Sequence, residues 1–246
     1  MSAEELERWR AKQAHYQDPR VARDYDAARF SGARAAGSTA RKWAAIRRVL
    51  GAEFDAVESV LDVPCGTGRF AALLAGSGKR FVEADLSHAM LAEALTVAAG
   101  ARAMVVDERA VAERNGGPAD EKRSHLGCVR CDAAQLPFAD ASFDVVLSIR
   151  FLFHVPRELR PALLAEMARV ARRAVVVDVR HKYTLGAWTR PLRACLTRKR
   201  VPYRASLAEL EADFAAAGLR IERRAWIAPL FSEKLVVAAR PERRNS

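Results

Sequence analysis

Five short apolar runs alternate with stretches of helical periodicity, and each ends on, or next to, a charged side chain. The runs cover 57–62 (VESVLD), 80–85 (RFVEAD), 126–133 (LGCVRCDA), 143–149 (FDVVLSI) and 174–179 (AVVVDV). Runs so short and so rich in valine fit strands buried on both faces, as in parallel sheets whose crossovers are helices. The intervening segments supply those helices. Residues 34–50 place Trp43, Ile46 and Leu50 on one face, 67–75 stop near Gly76 and Gly78, and Ser87 is a good N-cap for the next helix. Residues 157–172 and 207–217 follow, the latter stopped by Gly218. Two last strands, 219–227 and 234–239, are expected to pair antiparallel. A leading helix over 4–17 is expected to break at Asp18-Pro19. The alternation predicts an α/β fold with a doubly wound sheet.

Ligands of such sheets bind beyond the carboxyl ends of the strands. Asp62, Asp85, Asp132, Arg150 and Asp178 gather there. The first strand runs into SVLDVPCGTGRF, with Gly66 and Gly68 between strand and helix, where glycine allows a tight turn or close ligand approach. A dinucleotide fingerprint would need a third glycine, and Phe70 stands near that position; no GK[ST] follows for a phosphate loop. Asp62 would repel a pyrophosphate but accept from an ammonium. The ligand expected is therefore a nucleoside carrying a cation. Asp85 is placed to accept the ribose hydroxyls, Asp132 to accept from an adenine amine, and Met90 to pack its thioether on the purine.

With these residues in order, the chain resembles the class I S-adenosylmethionine-dependent methyltransferases, most closely their small-molecule branch of ubiquinone and menaquinone methylases. VLDVPCGTGRF is similar to that family's first motif, VEADLSHAML to its second, and CDAAQLPFADASFDVVLSIRFLFHV to the third and fourth together. The resemblance covers roughly 57–179. It implies a Rossmann-like, seven-stranded, mostly parallel sheet with an antiparallel final strand. It also implies S-adenosyl-L-methionine as cofactor, with no metal. By the same resemblance Pro64, Cys65, Gly66 and Gly68 border its amino-acid portion, with Asp62 close by. Asp85 takes the ribose, Leu86 and Met90 flank the adenine, and Asp132 and Ala133 read its edge. Ile149 and Arg150 border the methionine end and the substrate.

Methyl transfer from a sulfonium needs alignment and water exclusion more than acid–base chemistry. Where a base is needed, His154, just after the fourth strand, is suited to it. Arg150 is suited to an anionic acceptor, and His181 and Tyr183 follow the fifth strand. Residues 1–50 read as a helical arm or lid, with Tyr25, Arg29 and Phe30 placed to close the cleft. Residues 51–240 read as the methyltransferase domain, with insertions at 99–125 and 181–204, and 241–246 as a disordered tail. The second insertion combines Trp188 with several arginines. It suits a lid, an anionic membrane surface or RNA phosphates.

With 41 basic against 30 acidic residues, the net charge of +11 favours anionic partners. Cys128 and Cys131 form a CxxC, but positions three apart on a strand point to opposite faces, and no further soft ligands lie at finger-like spacing. The four cysteines make no disulfide framework, and no apolar run reaches membrane-spanning length; a cytoplasmic enzyme is expected. The leading reading is methyl transfer to oxygen or nitrogen of a small or lipid-like acceptor. RNA methylation, or a cofactor-binding subunit without turnover, are the alternatives. The oligomeric state is not legible.

Overall fold

The computed structural model describes residues 2–30, 33–98, 125–182, 204–227 and 233–242. The strands are β1 (Ser59–Asp62), β2 (Arg80–Asp85), β3 (His125–Arg130), β4 (Phe143–Ser148), β5 (Ala171–Arg180), β6 (Leu219–Trp226) and β7 (Lys234–Pro241). They form one seven-stranded sheet in the order β3-β2-β1-β4-β5-β7-β6. β1 to β5 pair in parallel, and β7 runs antiparallel to both β5 and β6. The fold class expected from the alternation is the fold observed.

Three helices lead the chain: α1 (Ala3–Gln17), α2 (Pro19–Phe30) and α3 (Ala33–Leu50). Next come α4 (Ala71–Gly76) and α5 (His88–Ala98), then α6 (Arg160–Val170) and α7 (Leu207–Ala215). Alternation along the strands sorts side chains to two faces. Leu61, Val82, Val146, Val175 and Val177 join Leu164 and Met167 of α6 and Leu210 and Phe214 of α7. Val60, Val145, Leu147 and Val176 join Ile46, Val49 and Leu50 of α3 and Leu74 of α4 on the other face. Asp62 and Asp178 follow the same alternation, so both point to the α3 side.

Several boundaries move for local reasons. Asp18 ends α1, yet its carboxylate accepts from the Arg20 amide at 2.8 Å and so caps α2, which opens on Pro19. The predicted break is thus also a helix start. The helix expected from residue 67 begins only at Ala71, because Gly66 and Gly68 hold φ of +60° and +70°. β5 starts at Ala171, where a helix was expected to continue to 172. Arg172 and Arg173 instead reach the Asp144 carboxylate on β4 at 2.8 and 3.4 Å. The insertions expected at 99–125 and 181–204 and the tail expected at 241–246 fall largely outside the described residues.

Candidate functional site

A cavity of about 270 Å³ opens beyond the carboxyl ends of β1, β2 and β4. Asp62, Pro64, Cys65 and Gly66 line it from the first turn, and Asp85, Leu86 and Met90 from the second. Asp132 and Ala133 follow β3, while Ile149, Arg150 and His154 follow β4. Tyr25 also lines it. All thirteen are among the residues expected at the cofactor or substrate site.

The first turn is built around Asp85. Its carboxylate accepts from the Gly66 amide and the Ser87 amide, both at 2.9 Å. That bond ties the end of β2 to the glycine turn, and a Cβ built on Gly66 meets nothing within 4 Å. The loop backbone is therefore open to a ligand there. Ser87 caps α5 through the Met90 amide at 3.2 Å, and its hydroxyl donates to the Tyr16 carbonyl at 2.7 Å. Asp132 accepts from the Ala134 amide at 2.9 Å, which shapes the turn after β3, and the residue lines the cavity.

Asp62 and Glu83 are register partners on adjacent strands and both are fully buried. Burial, with the charges of Glu83 and Asp85 nearby, pushes the Asp62 carboxyl well above the usual carboxylate range. Asp62 Oδ2 has no hydrogen-bond partner among the described residues. Burial also raises Asp85, against the lowering pull of its amide donors. An orphaned carboxylate oxygen, a second desolvated acid and an open glycine backbone fit a ligand that brings cationic and hydroxyl donors. Burial pushes the Cys65 thiol well up and Cys128 to about 12, so neither is a thiolate nucleophile. Among the described residues no group of three or more His, Cys, Asp or Glu is arranged to hold a metal.

The second half of the cavity is aromatic and cationic. Trp9, Lys12, Gln13 and Tyr16 of α1 reach it, as does Phe151. Trp9 and Phe151 pack with ring centroids 6.2 Å apart, and Lys12 Nζ lies 2.7 Å from His154 Nδ1. Behind this wall, Lys42 of α3 forms a buried ion pair with Asp178, whose other oxygen accepts from the Arg150 amide. Arg150 itself sits at φ +68°, a left-handed conformation rare for arginine. Burial brings the Lys42 ammonium down to about 8, outweighing the pull of Asp178.

Two expected site residues lie elsewhere. Gly68 does not line the cavity; it packs against α5 and the Glu83 carboxylate. His181 is buried edge-on against Trp226, ring centroids 5.3 Å apart, and its amide donates to the Glu233 carbonyl. That bond prolongs the β5–β7 pairing past the strand end and keeps the imidazole out of the cleft. Tyr183 and Trp188 lie outside the described residues, as do the side chains of Arg29 and Phe30. The arm over 1–50 was expected as a lid, but the α1 side chains in the cavity were not named, although Trp9, Lys12, Gln13 and Tyr16 recur at helical spacing and mark one face.

Residues 61–177 match the protein family described as a methyltransferase domain. A demethylmenaquinone methyltransferase from Beutenbergia cavernae is 38% identical over 117 residues, covering 47% of this chain and 37% of that protein. The chain spans well under half the length of the curated relatives it matches, 37% and 44%. Among solved structures, magnesium protoporphyrin IX methyltransferase from Synechocystis PCC 6803 with bound S-adenosylmethionine gives a TM-score of 0.61 at 16% identity, over 95% of this chain and 96% of that one. An O-methyltransferase of neocarzinostatin biosynthesis, in complex with S-adenosyl-L-homocysteine and 1,4-dihydroxy-2-naphthoic acid, gives 0.54 at 21% identity, over 76% of this chain and 50% of that one. At such identities the structures speak for the fold. No described helix is long and apolar enough to cross a membrane. Motif order, strand order and the match across 61–177 converge, and residues 61–177 form a methyltransferase domain similar to those of the class I S-adenosylmethionine-dependent enzymes.

Proposed function

We propose that this chain transfers the methyl group of S-adenosylmethionine to a small acceptor with an aromatic or lipid-like body and a negatively charged oxygen. One observation carries the reading. A single cavity joins the acid-lined glycine turn at Asp62, Gly66 and Asp85 to an apolar chamber edged by Lys12, Arg150 and His154. When bound, the cofactor supplies an electrophilic methyl carbon on a sulfonium. Asp85 and the open backbone at Gly66 would hold its ribose and amino-acid portions. Asp62 would accept from its ammonium, and Met90 and Leu86 would flank its base. Trp9 and Phe151 would grip a flat acceptor, while Arg150 and Lys12 would draw a negative oxygen toward the methyl. With α1 over the bound acceptor, water would be kept from the sulfonium, and orientation and proximity would supply most of the rate. The relatives act in keeping with this class: one is named for demethylmenaquinone, and another was solved with a hydroxynaphthoic acid.

The test is transfer of labelled methyl from S-adenosylmethionine into fractionated cell extract. Label is expected in acidic, organic-extractable small molecules. Label confined to RNA or protein, or none in any fraction, would overturn the assignment. Asp85→Ala should weaken S-adenosyl-L-homocysteine binding about 100-fold, the upper end of what charged hydrogen bonds contribute. Calorimetry of the folded variant measures it.

Cofactor binding should also release protons. The raised Asp62 and Asp85 carboxyls keep their protons to higher pH than ordinary carboxyls do. A cationic ligand favours their ionised forms and expels those protons. Affinity therefore rises with pH through the raised values, by at most about tenfold per pH unit per acid, then levels off. Calorimetry across the acidic and neutral range, in pairs of buffers of different ionisation heat, reads the protons directly. Identical heats in both buffers of every pair would show that neither acid is linked to the ligand.

A further inference from the structure

His154 closes a short 3-10 turn, Leu152–His154, after β4, and its ring packs against Phe153 at a centroid distance of 4.5 Å. Its Nδ1 lies 2.7 Å from the Lys12 ammonium, 142 residues earlier in the chain, and both side chains line the cavity. A lysine ammonium has three donors and no acceptor. It can bond Nδ1 only where that nitrogen presents its lone pair, so the ring proton resides on Nε2. A histidine held this way is neutral and has no basic lone pair left for a substrate hydroxyl. It can still donate.

We infer that Lys12 is a positioning residue that locks His154 into the Nε2–H form, making it a hydrogen-bond donor to an anionic acceptor oxygen instead of a general base. The assignment deepens the proposed function and rests on it for the identity of the oxygen. The charge balance is simple. The oxygen anion forms the new bond to the methyl carbon, the sulfur–carbon bond breaks, and its electron pair stays on sulfur. A cation and an anion become a neutral sulfide and a neutral ether or ester, and no proton has to leave. The substrate class that follows is a carboxylic acid, or an enol or phenol acidic enough to arrive ionised. A weakly acidic alcohol would find nothing at His154 to deprotonate it.

The experiment needs no acceptor. The full chain is labelled with ¹⁵N-histidine, and long-range proton–nitrogen spectra are recorded at neutral pH. The His154 signals among the five histidines are assigned by their loss in His154→Gln. The expected result is a neutral ring with the proton on Nε2 in the parent chain and in Lys12→Arg. In Lys12→Met the Nδ1 resonance should shift toward exchange between tautomers or toward protonation. Lys12 lies on a half-exposed helix face, and thermal melting verifies that its variants fold. A proton on Nδ1 in the parent, a doubly protonated ring, or a Lys12→Met spectrum identical to the parent would each overturn the inference. The result stands apart from the methyl-transfer assay: the tautomer is read in the free protein, whatever the acceptor proves to be.

Discussion

Gly68→Ala should cost about 2–5 kcal/mol of stability and abolish measurable cofactor binding in what remains folded. Two penalties add. At φ +70° an alanine Cβ crowds its own backbone, at roughly 1–2 kcal/mol. That same Cβ would stand 2.8 Å from Glu83 Oε1 and 2.9 Å from the Ala94 Cα, the second of which is helix backbone. Relieving the overlap means moving α5 away from β2, at about 1–3 kcal/mol. The displaced helix carries Met90 and its Ser87 cap, so the damage reaches the cofactor cleft although Gly68 does not line it. Gly66→Ala is the internal comparison. It has a similar φ of +60° but open space around the built Cβ, so only the backbone penalty applies. Urea unfolding of both variants checks the argument. Equal losses would show that packing against α5 is not what demands glycine at 68.

The second large effect is expected at Asp178. Asp178→Ala strands the Lys42 ammonium in an apolar layer, and breaking a buried pair in this way costs about 3–5 kcal/mol. It also removes the acceptor of the Arg150 amide, which holds that residue in its left-handed turn at the cavity wall. The loss should depend on pH with a defined sign. Burial already brings Lys42 down to about 8, below its unfolded value, so the folded state binds fewer protons above that point. Stability from this group is lowest below pH 8 and recovers as pH rises toward the unfolded lysine value. Without Asp178 the ammonium falls further, so the variant's deficit should narrow from an even lower pH. Denaturant unfolding between pH 6 and 10 measures it. A deficit that widened with pH would contradict the pairing.

The lysine and the acid of that pair are 136 residues apart, which explains why the pairing was not read from the sequence. Lys42 stands in a helix beside Trp43 and Ile46, and helical spacing alone assigns a lysine there to the rim. Asp178 was legible as a charged strand end but not as the partner of a buried amine. Local punctuation was read well. β2 came out residue for residue, Ser87 caps as expected, and the acids at 62, 85 and 132 meet at one cleft because parallel strands must end on one side. The same rule failed at His181. Pairing with the segment before β7 continues past the end of β5, and that pairing depends on a strand more than fifty residues later. Lys12 was missed for a related reason. A helix with no buried residue of its own gives little apolar signal, and its function appears only once the turn after β4 comes to meet it.

The antiparallel course of β7 has a practical corollary. It carries the chain from the cleft end of the sheet back to the opposite end, where the Glu242 amide meets the Gly218 carbonyl. At the other terminus, Ser2 lies only about 10 Å along the α1 axis from Trp9 in the cavity wall. A domain, tag or natural extension joined ahead of Ser2 would start within about 10 Å of the cavity wall, and one joined after Glu242 would start at the opposite end of the sheet. Fusions and surface tethers at the carboxyl side leave the entrance clear.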